Sequence, residues 1–444
     1  MRDAHNVWPH FGPLTASSGD GMRTMVRGEG AHLTDDRGHR FIDLLSALYC
    51  VNAGHGRTEI GQAMAKQAAE LAFFPSWGST TTPVVAELAE RIVSLAANGF
   101  ERVFFTSGGS DSVDAAWKLS RQYHRLRGKD TKYKILSKEG AYHGTTLGAL
   151  SVTGIPSLKE PFGPLVPGAV NIPRVKSFRA PSPPRKHAAD AAAAVAEIIE
   201  AEGPDSVAAI IVEPVQNSGG CLVSDPVYFR RLREIADHYD VLLISDETIC
   251  SWGRTGAWFG SRAVECEPDI ITTAKGLTSG YAPMGALIAR STVTRAFTTP
   301  GTYFNHGLTF GGHPVSAAAA MANIAILERE ELVNRACRVG ARFRAGLETL
   351  TELDIVGDVR GQAMFQAIEL VADNQTNGTF SPEQTTRLVE FLPKALFEGG
   401  LICRAMHRGA PVIQFAPPLV ITDEDLNESI EIIRASLKRA QEIL

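Results

Sequence analysis

Short apolar runs alternate along the chain with longer segments whose apolar positions recur at helical spacing. The runs in RVFFT (Arg102–Thr106), KILS (Lys134–Ser137), SVAAIIV (Ser206–Val212), VLLI (Val241–Ile244) and DIIT (Asp269–Thr272) are too short for helices and read as buried strands. Between them, Val84, Leu88, Ile92 and Leu95 follow Pro83 at helical spacing, and Ala188–Gly203 and Tyr228–Asp240 read as two further helices. Alternation of this kind from about Arg102 to Ala289 predicts an α/β fold with a mostly parallel, doubly wound sheet. Ahead of it, AHLTDDRGHRFIDL (Ala31–Leu44) reads as a hairpin turning at Asp35–Gly38. The small and glycine residues ending SALYCVNAGHG imply chain passing close to a ligand or another backbone. Ser177–His187, SFRAPSPPRKH, is the most linker-like piece and is expected to be an irregular surface loop.

Beyond about Glu331 the pattern changes to a helix, short strands and a helix. It includes Asp358–Gln362, a polar loop at Ala372–Pro382, Leu401–Arg404, and a capping-box-like start at Thr422–Asp425. The last helix carries Leu426, Ile430, Ile433 and Leu437 on one face. The division expected is an N-terminal segment (1–60) packing with a C-terminal small α+β domain (331–444), and a large ligand-binding domain (61–330) between them.

Length, 444 residues, allows two or three domains with large cores. The net charge is −5 with dispersed basic residues, which excludes a basic stripe for nucleic acid or anionic membrane. Six scattered cysteines with no CxxC pair fit a reducing compartment and argue against a structural zinc site. His306 and His313 lie seven residues apart in a glycine loop, a poor metal-ligand pattern. With no apolar leader-like run and no run of 18 apolar residues, a cytoplasmic location is expected.

Three strands run into chemistry. VLLI leads into Asp246, the Asp269–Thr272 run delivers Lys275, and SVAAIIV ends at Glu213. In an open α/β sheet, ligands sit beyond the carboxyl ends of strands, so Asp246 and Lys275 can share one crevice. A lysine there can form a Schiff base, and an aspartate can keep a pyridinium nitrogen protonated. Spacing alone leaves open a solvated Asp and Lys that never meet. Likewise the Gly-Gly-Ser turn opening a helix after a strand is either an anion site or a place where Ser110 and Asp111 serve merely as N-caps. No GxGxxG follows a strand, which sets aside a Rossmann dehydrogenase.

DETICSWGRTGAWFG (Asp246–Gly260) followed by AKGLTSGYAPMGA (Ala274–Ala286) resembles the signature of the class III aminotransferases, pyridoxal-phosphate enzymes of fold type I. The resemblance is to the ω-transaminase, or amine:pyruvate, branch and runs from about Trp8 to the C-terminus. It implies that Lys275 holds pyridoxal 5'-phosphate as a Schiff base and later moves the substrate proton, while Asp246 pairs with the ring nitrogen. Gly109 and Ser110 become candidates for the phosphate, Tyr142 for the ring face, and Glu213 for the neighbourhood of the ring oxygen. Thr248 stands under the ring where the family usually has Val, introducing a hydroxyl. Thr309, in HGLTFGGHP, would reach the phosphate of a partner subunit, which makes the expected enzyme a homodimer with shared sites. Tyr49 and Ser218 would border the substrate. Asn217 and Ser218 stand where the family often has Gly and Ala, so a narrower or more polar pocket is expected. Arg404, with Arg408 as a competitor, would bind a substrate carboxylate. The implied substrates are an amine donor and a keto-acid acceptor such as pyruvate. An aminomutase, decarboxylase or racemase on the same cofactor is the alternative.

Overall fold

A computed structural model describes residues 6–14, 23–96, 99–407 and 410–444. Its centre is a seven-stranded sheet in the order Phe100–Thr106, Gly285–Arg290, Ile270–Thr273, Leu242–Asp246, Val207–Val212, Lys134–Lys138, Ala169–Ile172. The last five strands of that order pair in parallel, and Gly285–Arg290 runs antiparallel to both of its neighbours. The mostly parallel sheet expected from the alternation is therefore present, and each of the five predicted runs overlaps one of its strands.

Every residue of Val207–Val212 and Leu242–Asp246 is buried, because helices cover both faces. The two-residue period of the pleat sorts their side chains. Ile210, Val212 and Leu243 pack with the helices Pro184–Glu202 and Pro226–His238. Ala209, Ile211, Leu242 and Ile244 pack on the other face with the helix Gly109–Leu126. The predicted helix after Pro83 spans Pro83–Leu95 and buries Val85, Leu88, Ile92 and Leu95. One correction concerns Ser177–His187: the helix Pro184–Glu202 begins inside it. Proline at a first helical position lacks only an N–H that would be unbonded anyway, so Pro184 starts the helix.

The predicted hairpin forms with strands His32–Asp35 and Arg40–Asp43, and Met25–Glu29 lies outside it. Asp35 closes the turn by accepting from Arg37 N at 3.0 Å and His39 N at 2.8 Å. Leu401–Ile402 adds to this sheet in parallel beside Arg40–Asp43. A further sheet is ordered Val356–Gln362, Phe365–Leu370, Pro411–Phe415, Arg404–His407. The final helix, Asp423–Glu442, carries the complete capping box between Thr422 and Asp425. Close backbone approach at the predicted glycines is also present: a Cβ on Gly56 would lie 2.9 Å from Gly28 O. Among the described residues, no helix is long and apolar enough to cross a membrane.

These parts meet at Arg254, a fully buried guanidinium. It donates to Ser46 Oγ at 2.9 Å, Asn52 Oδ1 at 2.7 Å and Met364 O at 3.1 Å, and also to Pro417 O.

The helix Gly109–Leu126 also buries His124, whose Nε2–H donates to Ala208 O at 3.0 Å while Nδ1 has no partner among the described residues. Burial pushes its pKa down to about 4. A His whose folded pKa lies below the unfolded value stabilises the fold fully above about pH 6.5, and this contribution is lost as pH falls through 4. The loss is on the order of 3 kcal/mol. Denaturant unfolding of His124→Gln between pH 7 and 4 should therefore show a shallower loss of stability than wild type. Parallel curves would refute this.

Candidate active site

Five strand ends deliver the site. Asp246 ends Leu242–Asp246, Glu213 follows Val207–Val212, and Lys275 lies two residues past Ile270–Thr273. Tyr142–Gly144 follow Lys134–Lys138, and Gly109 and Ser110 open the helix after Phe100–Thr106. All of these residues line one cavity of about 220 Å³, together with Thr248, Leu48, Ile249 and Cys250. Of the two readings left open by spacing, the one in which Asp246 and Lys275 meet in one crevice is the one observed.

Asp246 is buried and densely bonded. Its Oδ2 lies 2.8 Å from His143 Nδ1, and its Oδ1 accepts from Thr248 N at 3.1 Å, Thr248 Oγ1 at 2.7 Å and Thr272 Oγ1 at 3.2 Å. Burial alone would raise its pKa, but the bond to His143 and the donors from Thr248 outweigh this and hold the carboxyl below its usual range. The Thr248 hydroxyl is thus used to fix Asp246. His143 is a residue that sequence reasoning missed. Its only signal was its place beside Tyr142, and its pairing with Asp246 spans 103 positions.

Glu213 is also buried, but there burial dominates and pushes its pKa up, helped by the charge of Asp246. Its Oε2 accepts from Asn217 N at 2.9 Å, and Oε1 has no partner among the described residues. Lys275 is half-buried and in a left-handed backbone conformation, φ +43°, a strained state for a residue with a Cβ. Burial pushes its amine pKa down, and the charge of Arg404 adds in the same direction. Its Nζ lies 5.5 Å from the centroid of the Tyr49 ring.

Across the cavity, the first turn of Gly109–Leu126 presents backbone N–H groups that have no partner within a helix. A Cβ on Gly109 would come within 2.8 Å of Thr248 Cγ2, so only glycine keeps this wall open. Ser110 Oγ accepts from Thr145 N at 3.1 Å, and a Cβ on Gly144 would strike it. A half-buried Tyr142 completes the lining. An unpartnered carboxyl oxygen, a cleared glycine wall and a helix N-terminus suit a flat polar ring carrying an anionic tail.

The remaining candidates lie outside that lining. Tyr49 is buried beside Lys275, with its hydroxyl 3.2 Å from Gln414 Oε1. Ser218 is buried, and its carbonyl accepts from Gln216 Nε2 at 3.3 Å. Arg404 is half-buried in the strand Arg404–His407. Thr309 is exposed in the segment before the helix Pro314–Arg329. Arg408 lies outside the described residues.

A doubly wound sheet that brings a lysine and a carboxylate to one crevice at its strand ends, facing a helix N-terminus, defines a pyridoxal-phosphate-dependent transferase of fold type I. The aminotransferase class-III family model matches residues 15–437, and the chain belongs to that family. It is 48% identical over 436 residues to a probable aminotransferase, Rv3329, of Mycobacterium tuberculosis, covering 97% of this chain and 92% of the relative. It is 35% identical over 439 residues to the putrescine–pyruvate aminotransferase of Pseudomonas aeruginosa, covering 98% and 94%. Among solved structures, an amine transaminase from an uncultivated Pseudomonas species in its PLP-bound form superposes with TM-score 0.89 at 33% identity, covering 94% of this chain and 95% of that one. The protein is a transaminase, and its reaction class is PLP-dependent transfer of an amino group between an amine or amino acid and a keto acid.

Proposed function

We propose that the 220 Å³ cavity binds pyridoxal 5'-phosphate, and that the enzyme passes an amino group to a keto acid such as pyruvate in two half-reactions. The observation that carries this reading is the convergence of Lys275, Asp246 and the N-terminus of Gly109–Leu126 on that cavity. Pyruvate as acceptor draws support from the name of the Pseudomonas aeruginosa relative. When bound, the cofactor supplies an electron-withdrawing ring that stabilises charge at the substrate Cα.

The roles of this chain's residues follow from their surroundings. Ionised Asp246 is suited to hold a proton on a ring nitrogen, with His143 and Thr248 fixing its two oxygens. The lowered pKa of Lys275 leaves more of its amine neutral, as a base moving a proton at Cα requires. Ser110 and the N–H groups around Gly109 are suited to an anionic phosphate. Glu213 Oε1 is suited to the ring oxygen, Tyr142 to one ring face, and Thr248 to the other. Tyr49, Ser218 and Arg404 then face substrate. The same reading assigns residues 61–330 to cofactor binding and pairs residues 1–60 with 331–444, in keeping with Leu401–Ile402 lying beside Arg40–Asp43.

Borohydride treatment of the holoenzyme should leave the cofactor attached to the peptide containing Lys275, read by mass spectrometry. Lys275→Ala should retain cofactor and lose multiple turnover, and Asp246→Asn should fold normally and lose most activity. Sustained turnover by Lys275→Ala, or a near-wild-type rate for Asp246→Asn, would remove the residue from its assigned role.

Arg404→Ala should raise the KM for pyruvate about ten- to a hundredfold, the loss of one charged hydrogen-bonded pair of roughly 1.5–3 kcal/mol. An amine lacking a carboxylate should be scarcely affected. Separate measurement of the two half-reactions decides this, since equal losses on both would make Arg404 structural.

The reading also makes the protein a homodimer in which Thr309 reaches the partner's phosphate. It is supported by exposed aromatics near Thr309: Tyr303 is 70% and Phe310 60% exposed, and a Cβ on Gly307 would touch Trp77, itself 58% exposed. Light scattering should give twice the chain mass, and Thr309→Ala should weaken cofactor retention while leaving the dimer intact. An active monomer at low concentration would refute the shared site.

A further inference from the structure

A buried chain of hydrogen bonds runs from Tyr49 to Glu213 through Gln414. Gln414 lies in the strand Pro411–Phe415 and is 0% exposed. Its Oε1 accepts from the Tyr49 hydroxyl at 3.2 Å. Its Nε2 donates to Asn217 O at 2.6 Å and approaches Asn217 Oδ1 at 3.1 Å. Asn217 N in turn donates to Glu213 Oε2 at 2.9 Å. The two ends of one amide therefore fix two segments that lie 365 and 197 positions away from it.

Both segments need such a brace. Ser46, Ala47 and Tyr49 all have positive φ, so the backbone that presents the Tyr49 ring is strained and is held in place by its surroundings. The turn after Asn217 continues through Gly219 and Gly220, at φ +93° and +89°, whose carbonyls accept from Arg360. Gln414 supplies the corresponding donor at Asn217. It is also the direct cross-strand neighbour of Arg404, so the two side chains project from the same face of their sheet. A buried amide bonded at both ends is a rigid spacer, because losing either bond leaves an unpaired polar atom.

We propose that Gln414 is a specificity-determining positioning residue: by pinning the Tyr49 hydroxyl and the Asn217 turn, it holds the substrate wall beside Lys275 narrow and biases the enzyme toward small amine donors. The proposal rests on the reading of Tyr49 and the Asn217–Ser218 turn as substrate-facing. Gln414 does not touch the reacting atoms; it acts through those two groups.

The test uses holoenzyme carrying Gln414→Leu or Gln414→Met, the second keeping the length of the side chain without its amide. The donor half-reaction is followed by the absorption of the bound cofactor, with alanine as the small donor and 1-phenylethylamine as the bulky one. The ratio of their specificity constants should move about tenfold or more toward the bulky donor, the scale of discrimination that pocket shape supplies. Binding of tert-butylamine and 2-phenylpropan-2-amine, which lack an α-hydrogen and cannot react onward, should shift in the same direction. Tyr49→Phe, which keeps the ring and removes its tether, should reproduce most of the shift and add nothing to Gln414→Leu. An unchanged or reversed ratio in both Gln414 variants overturns the proposal, including the case in which both donors slow equally or cofactor is lost. If wild type transfers no amino group from any amine, it is the transamination reading that fails. The binding ratio of the two unreactive amines still decides the role of Gln414 in that case.

Discussion

The charge of Arg254 is enclosed by protein and, among the described residues, no carboxylate bonds it. Burial pushes its pKa down only to about 10, so it stays cationic at neutral pH, and neutral oxygens must carry the charge. Those oxygens come from chain segments near residues 46–52, 364 and 417, which places the N-terminal segment and the C-terminal sheet around one point. The effect reaches the site directly. Asn52, which accepts from Arg254, also donates to Trp252 O at 2.9 Å, and its amide lies where a Cβ on Gly276 would be, 2.5 Å away. Asn323 adds a donor to Gly276 O at 2.9 Å. The residue after Lys275 is therefore fixed by a hydrogen bond from Asn323 and packed against an Asn52 that Arg254 holds in place.

Within the cavity, two carboxyl groups on adjacent strands are driven in opposite directions. Asp246 gathers donors on both oxygens and stays ionised, whereas Glu213 has one donor, one bare oxygen and an ionised neighbour. Environments that separate two acids in this way let each serve a different task on one ligand. Lys275, past the strand on the other side of Asp246, has its amine desolvated, which favours its neutral form.

How much of this was legible in the sequence depended on the range of the interaction. Asp246, Glu213 and Lys275 stood out because each follows an apolar run short enough to be a strand, but spacing left open whether they meet, and the resemblance to the class III aminotransferases supplied their roles. The phosphate-side turn was visible locally as a strand, glycines and a helix start, which left an N-cap open, and the same resemblance singled it out as an anion site. His143, Gln414 and the partners of Arg254 were not, since their bonds span 103 to 365 positions and depend on sheet order and register. The early start of the helix at Pro184 was missed because a proline-rich stretch reads as irregular, although one proline of such a stretch can open a helix.

The pairing of the chain's two ends has a consequence for how the polypeptide is made. Ser46 Oγ donates to Ala416 O, 370 positions later, and Arg40–Asp43 gains its neighbour only when Leu401–Ile402 has been synthesised. As the chain leaves the ribosome, the early hairpin must wait with one edge open for nearly the whole of translation. Open edges invite pairing with the wrong strand. Exposed Arg37 and Arg40 on the hairpin, with Arg27 and Glu29 on the strand beside it, give this sheet a charged surface that disfavours such contacts while it waits.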